Sequence, residues 1–390
     1  MIGSAPNFRW IYPRYLRCRK SRRRSDGGSR LTRDAGNMFI AVRDLRFARG
    51  RFALLAGVIA LMTLMVVLLT GLTAGLGAAS VSAVAALPVD DIAFQRPAED
   101  QDVSFTTSTL PAGTVAAVAA RPGVSTAWPL GVSTTRLQAG DRSTAVTLLG
   151  GDPALYPALR QGRSPTGAEV ALTAAIAEKQ SVSVGETVAI NGQQVRVASI
   201  VDDTSFNHLP VVYTPIDTWQ QLTRVDTITA VATKRDGAGS PADDADTITV
   251  NREEAFSAVG GYASEQASLN LMRGLLLAVS ALIVGAFFTV WTMQRAGDLA
   301  VVRALGGGRG YLLRDALAQA AIVLSAGAAI GGGAAAGLGL LAARAVPFVL
   351  DAATVSLPLA AMVAVGLLGA AFSVRRVSAV DPLTALGAAR

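Results

Sequence analysis

The sequence predicts an α-helical membrane protein with four transmembrane helices in a one-plus-three order and a large extracytoplasmic α+β domain between the first and second. Three observations carry this. Of 390 residues, 51% are hydrophobic and only 16% charged, where a soluble domain carries about a quarter charged. Four apolar runs each exceed the roughly 20 residues that cross a bilayer. The charges are segregated: residues 80–268 hold 12 Lys+Arg against 21 Asp+Glu, and the remainder holds 23 against 7. Basic residues packed beside apolar runs mark cytoplasmic flanks, which accounts for the high pI without nucleic acid as a partner. The one cysteine, Cys18, excludes a disulfide framework and a thiolate zinc site.

Residues 1–37 form a basic polar tail with Arg17, Arg19, Lys20, Arg22, Arg23 and Arg24, expected to be disordered and cytoplasmic. No apolar segment follows closely enough to make it a signal peptide, and Met38 is a candidate start. Residues 38–51 interleave Phe39, Ile40, Val42, Leu45 and Phe47 with Arg43, Arg46, Arg49 and Arg51, the pattern of a helix lying in the membrane interface. The first span, 52–79, is uncharged; arginines precede it and Asp90 and Asp91 follow, which places its N-terminus inside. Gly71 and Gly75 form a GxxxG pair that permits close helix approach.

Residues 80–268 change character, with short alternating runs rich in Thr, Ser, Asp and Pro. Residues Ser183–Val201 predict strand, Asn191-Gly192 turn, strand, the strongest short-range hairpin signal. Further strands are expected at Thr144–Leu149 and Leu209–Tyr213, helices near Ala112–Ala120 and Ile216–Thr223, and a loop over Lys234–Asp246. The single histidine, His208, has neither the HxxxH nor the carboxylate cluster of a metal site, nor a nucleophile elbow to complete a triad. Its expected role is at the surface or in a hydrogen bond.

The second span, 269–293, is broken only by Arg273; the third, 315–346, is rich in Gly and Ala, including Gly327, Gly331, Gly332, Gly333, Gly337 and Gly339; the fourth covers 353–374. Arg375 and Arg376 hold the tail, 375–390, inside, and the loop before the fourth span carries only Arg344, Pro347 and Asp351, as an outward loop should. Between the second and third spans lies the stretch 294–314, with Arg295, Arg303, Arg309 and Arg314. Its segment Asp298–Leu305 predicts a short amphipathic helix stopped by Gly306-Gly307-Gly308. Either it only fixes topology, or it is the handle by which a cytoplasmic partner moves the flanking helices. The three lysines, Lys20, Lys179 and Lys234, follow no P-loop spacing. ATP-driven work would therefore need a separate subunit.

The span order, the external domain, the loop QRAGDLAVVRALGG and the ending SVRRVSAVDPLTALG resemble the permease subunits of MacB/FtsX-type ABC transporters, from about Met38 to the C-terminus. The resemblance implies a non-enzymatic homodimer in the cell membrane, both termini cytoplasmic, each copy meeting one ATPase that carries the ATP and Mg. It further implies that Gln294, Arg295, Asp298, Arg303 and Gly306 couple to that ATPase and that helix motion is relayed to the external domain.

Three stretches, MFIAVRDLRFARGRFALLAGVIAL, GYASEQASLNLMRG and YLLRDALAQAAIVL, are similar to actinobacterial haem-exporting permeases. That similarity implies haem as transported substrate, with no intrinsic cofactor. Glu265 would ligate the iron beside Gln266, with Met272 on the same helix face and Arg273 pairing with a propionate. The plainer readings stand beside these: Glu265 as a helix N-terminal charge, Met272 as packing, Arg273 snorkelling to headgroups. Other functions in the same architecture are activation of a cell-wall hydrolase, for which an external domain of 189 residues is large, and lipoprotein or antibiotic efflux.

Overall fold

The computed structural model describes residues 49–237, 239, 242–294 and 309–378. The basic tail, residues 38–48 of the interfacial helix, Arg295, Asp298, Arg303 and Gly306 of the coupling loop, and residues 379–390 lie outside the described residues.

Helix α1 (Arg49–Ala85) has 37 residues. At 1.5 Å per residue it is about 55 Å long, well beyond a ~30 Å hydrocarbon core. Its surplus length enters the α+β domain, where Val81, Ala83 and Val84 pack into the core with Ile92, Phe94, Phe105, Phe206 and Tyr213. Burial of apolar side chains, at roughly 25 cal/mol per Å², thus extends the helix six residues past the run that ends at Ala79. The first membrane helix is also a core element of the domain.

The domain follows as β1 (Asp91–Gln95), β2 (Leu110–Pro111), α2 (Thr114–Ala119), β3 (Val124–Ala139), β4 (Arg142–Gly150), β5 (Leu159–Gly162), β6 (Glu169–Thr173) and α3 (Ala174–Gln180). Then come β7 (Thr187–Ile190), β8 (Gln193–Val201), β9 (Ser205–Phe206), β10 (Leu209–Thr214), α4 (Ile216–Thr223), β11 (Thr227–Ile228), β12 (Ala230–Arg235) and β13 (Thr247–Asn251). The main sheet runs β13-β1-β12-β3-β4-β10-β6-β8-β5, with β7 and β9 off that path. Most pairs are antiparallel, but β10 lies parallel to β4 and β6 parallel to β8.

The Asn191-Gly192 turn has positive φ at both residues, 49° and 78°, and joins β7 to β8 as an antiparallel hairpin. The expected strands at Thr144–Leu149 and Leu209–Tyr213 fall within β4 and β10, and the expected helices on α2 and α4. Lys234 and Arg235, read as loop, instead close β12 against β3.

The chain returns through α5 (Tyr262–Gln294), α6 (Arg309–Ala342) and α7 (Ala352–Ser378). With α1 these are four helices long and apolar enough to cross a membrane. Two seams of small residues bind them. On α6, a side chain at Gly327 or Gly331 would strike Ala56, Ile59 or Ala60 of α1. On α7, Gly369 lies against the Ala281 carbonyl of α5. Next to it Ser373 Oγ donates to Gly285 O at 2.6 Å and Thr289 Oγ1 lies 2.9 Å from Ser373 Oγ. Lipid supplies no hydrophobic drive between helices, so close backbone approach and interhelical hydrogen bonds hold them.

The GxxxG pair on α1 receives a loop rather than a helix. The α6–α7 connection turns back into the bundle, so that the Phe348 ring sits over Gly71 and Gly339 and the Pro347 carbonyl over Gly75. Val349 N donates to Gly71 O at 3.1 Å. Sequence spacing showed the notch but not what fills it.

Candidate functional site

A cavity of about 530 Å³ opens between α1, α5 and α7 at the end of the bundle nearest the domain. From α5 it is lined by Tyr262, Gln266, Arg273 and Leu277, whose spacing of four, seven and four places them on one face. Helix α1 presents Val66, Thr70, Thr73 and Gly77, and α7 presents Thr354, Leu357 and Pro358. The wall is thus mostly apolar with a few polar groups, the usual make-up of a small-molecule site.

Hydrogen bonding decides what those polar groups can do. Thr70 Oγ1 donates to Val66 O at 2.8 Å and Thr73 Oγ1 to Leu69 O at 2.7 Å. Their protons are used within the helix, so both hydroxyls face the cavity as acceptors. Thr354 Oγ1 donates to Asp351 O at 3.0 Å, and Asp351 Oδ1 caps Thr354 N at 2.6 Å. That capping hydrogen bond holds the Asp351 carboxyl below the usual carboxylate range. Pro358 lacks the N–H that would close the helical bond to the Thr354 carbonyl, which adds another acceptor.

Donors are few. Arg273 is half-buried, bonds Asn270 Oδ1 at 3.2 Å, and makes no ion pair among the described residues. Gln266 adds a side-chain amide on this face and Tyr262 a hydroxyl. A cation among mostly apolar walls suits an amphipathic ligand that carries an acidic group.

The four α5 residues singled out from sequence divide between two faces. Gln266 and Arg273 line the cavity; Glu265 and Met272 do not, being one residue earlier and so about 100° around the helix. Met272 is 54% exposed on the outer surface of α5. Glu265 instead meets His208, Nε2 to Oε2 at 3.3 Å, and the same Nε2 lies 3.0 Å from Ser80 Oγ of α1.

His208, expected from sequence at the surface or in a hydrogen bond, makes hydrogen-bond contacts to both α1 and α5. It sits with Asn207 in a two-residue turn between β9 and β10, both with positive φ, 48° and 61°. Phe206 and Leu209 pair on either side. An Asn-led dipeptide between strand residues is a type I′ signal, but its contact with Glu265, 57 positions away, is tertiary. Gln294, at the far end of α5, is exposed. Among the described residues no group of three or more His, Cys, Asp or Glu side chains is arranged to hold a metal ion.

Comparison with known proteins places this architecture. Residues 52–253 match the MacB-like periplasmic core domain and residues 270–382 the FtsX-like permease C-terminal domain. An uncharacterized ABC transporter permease of Mycobacterium tuberculosis is 28% identical over 366 residues, covering 90% of this chain and 99% of its own length. A protein of Staphylococcus haemolyticus named as a hemin transport system permease, HrtB, is 25% identical over 357 residues with the same coverage. Among solved structures, the periplasmic region of MacB from Actinobacillus actinomycetemcomitans covers 45% of this chain and 95% of its own, at 16% identity and a TM-score of 0.34. The chain belongs to the MacB/FtsX-type ABC transporter permeases, multi-pass membrane proteins with an extracytoplasmic domain.

Proposed function

We propose that this permease works as a homodimer with separate cytoplasmic ATPases and expels an amphipathic, membrane-embedded substrate, and that the substrate is haem. The observation that carries the reading is the Arg273 cavity, a mostly apolar space lined by one cation that makes no ion pair among the described residues. Haem has a flat apolar body, two carboxylates on one edge and an iron that takes an axial ligand. Arg273 and Gln266 suit a propionate, and the Glu265 carboxylate suits ferric iron. Eight residues, about 12 Å of helix rise, separate Glu265 from Arg273, and Glu265 lies outside the cavity lining, so this reading requires the porphyrin to extend past the cavity to reach it. The name of the staphylococcal relative supports haem at 25% identity; the mycobacterial relative's name supports only the permease role. Met272 faces outward on the Glu265 stripe, and in this reading it meets the second copy rather than the substrate.

In this reading both termini are cytoplasmic, and Gln294, Arg295, Asp298, Arg303 and Gly306 meet the ATPase. Closure of the two ATPases then drives α1 and α5, which carry the motion into the external domain because α1 is part of that domain's core.

The test is an absorption titration of detergent-purified protein with hemin, beside Glu265→Ala and Arg273→Ala. A saturable Soret shift at about one haem per dimer is expected, with affinity lowered about tenfold or more in each variant, the cost of losing a charged hydrogen bond or ligand. A shift untouched by either variant keeps haem and discards this site. No saturable shift above the detergent blank removes haem and leaves lipid, lipoprotein or hydrolase-activating roles.

A further inference from the structure

We propose that His208, carried by the external domain, is the positioning residue for the Glu265 carboxylate; this rests on the reading of Glu265 as the group that meets the substrate iron. Two features bring the imidazole there and hold it: a turn fastened to α1, and the hydrogen-bond contacts of the imidazole itself. The turn bearing His208 has left-handed backbone at both Asn207 and His208, a conformation that non-glycine residues keep only when their surroundings enforce it.

Here the enforcement is a set of bonds to α1. Asn207 N donates to Ser80 O at 2.8 Å and His208 N to Ala79 O at 3.0 Å. Ser205 N donates to Ser82 Oγ at 2.8 Å, and Ser82 Oγ lies 3.2 Å from Ser205 O. The imidazole then bridges outward, Nε2 to Ser80 Oγ on α1 and to Glu265 Oε2 on α5. One domain hairpin therefore ties together two of the three helices that flank the cavity.

The chemistry of the bridge assigns the proton. An ionised carboxylate only accepts, so in this proposal Nε2 carries the hydrogen and shares it between Glu265 Oε2 at 3.3 Å and Ser80 Oγ at 3.0 Å. That bond occupies Oε2 and leaves the second oxygen of a carboxylate that is 28% exposed. Ligating carboxylates are commonly held in this way by an outer partner, whose removal lowers metal affinity by about 10–100-fold. His208 thus has no need to touch iron: it sets where the Glu265 oxygen points. It also links substrate affinity to domain position, because any movement that lifts the hairpin off α1 takes the donor away from Glu265.

The experiment uses the full chain in detergent or nanodiscs, with hemin as probe, and compares wild type, His208→Ala, His208→Gln, Glu265→Ala and the His208→Ala/Glu265→Ala double variant. Glutamine keeps an N–H donor of similar reach. Expected are hemin affinity about tenfold weaker in His208→Ala, recovery to within about threefold in His208→Gln, and no further loss when His208→Ala is added to Glu265→Ala, since a residue acting through another shows full non-additivity. The Soret maximum of the bound haem should also move in His208→Ala and return in His208→Gln. An unchanged affinity and spectrum in His208→Ala, or an equal loss in both backgrounds, overturns the positioning role. Failure of wild type to bind hemin saturably overturns the haem reading itself, and this role with it. Thermal unfolding of each variant separates a misfolded hairpin from a lost donor, and His208→Gln carries the decision if His208→Ala does not fold.

Discussion

At the residue scale the external domain contains a titration that can be read by its sign. Arg163 Nη2 donates to Glu169 Oε1 at 2.7 Å, and Thr166 N donates to Oε2 at 3.0 Å, at the start of β6. The Arg163 hydrogen bond first, and the Thr166 bond second, hold the Glu169 carboxyl below its ordinary 4.5. A group depressed in the folded state adds stability above its unfolded pKa and loses it as pH falls through the folded value. Wild type should therefore unfold more easily as pH drops below about 4.5. The stability gap between wild type and Arg163→Ala, measured by thermal melting, should be present at neutral pH and close in acid. A gap of constant size from neutral to acid pH would show that Arg163 acts by packing alone. The pair is exposed, so the gap is small. Such local partners are partly legible in sequence, being three to six positions apart. The His208–Glu265 bridge was not legible: 57 positions separate the two residues, and neither carries a pattern that names the other.

At the element scale, what could be read depended on whether a segment's local signal agreed with its tertiary use. The β7–β8 hairpin was legible because Asn191-Gly192 suits its backbone as well as its place. Strand β3 was not among the strands expected from sequence, and it contains Pro129 and Gly131, residues that interrupt a strand pattern. In the fold, β3 pairs with β12 through Leu130 and with β4 from Gly131 onward. The proline's missing donor thus falls beside the handover between partners, where a strand tolerates it. Glycines on α1 show the same divide. Gly57 has open space where a Cβ would stand, whereas at Gly75 a Cβ would run into the backbone of Pro347 and Phe348. Gly57→Ala is expected to leave stability unchanged or raise it, by at most about 1 kcal/mol of helix propensity. Gly75→Ala is expected to cost roughly 1–3 kcal/mol by overpacking and to loosen the α6–α7 loop. Thermal unfolding in detergent measures both, and equal melting temperatures for the two variants would refute the loop-in-notch packing.

At the scale of the whole molecule the four-span order and the acidic external domain were legible because hydropathy and charge segregation act over tens of residues and survive local error. What a single chain cannot complete is the surface of α5. Only 17% of its apolar window is buried, against 33%, 39% and 22% for α1, α6 and α7. Its exposed positions Met272, Leu275, Val279, Leu282, Ala286 and Met293 step by three, four or seven, the repeat that lets two helices pack along a common seam. Glu265 lies seven residues before Met272 on the same stripe, so a second copy docked there would put two carboxylates, each with its His208 donor, at the domain end of one seam. Lipid would cover the stripe equally well in a monomer, and chemistry can separate the two cases. In a Cys18→Ser background, a cysteine at Val279 should form a disulfide-linked dimer in native membranes, because the same residue of both copies meets at a two-fold seam. A cysteine at Leu368, 70% exposed on α7, should stay monomeric. Cross-linking at Leu368 with none at Val279 would move the interface to α7 and take Met272 and Glu265 out of it. Cross-linking at Val279 that hemin slows or speeds would tie the seam to the same substrate as the cavity.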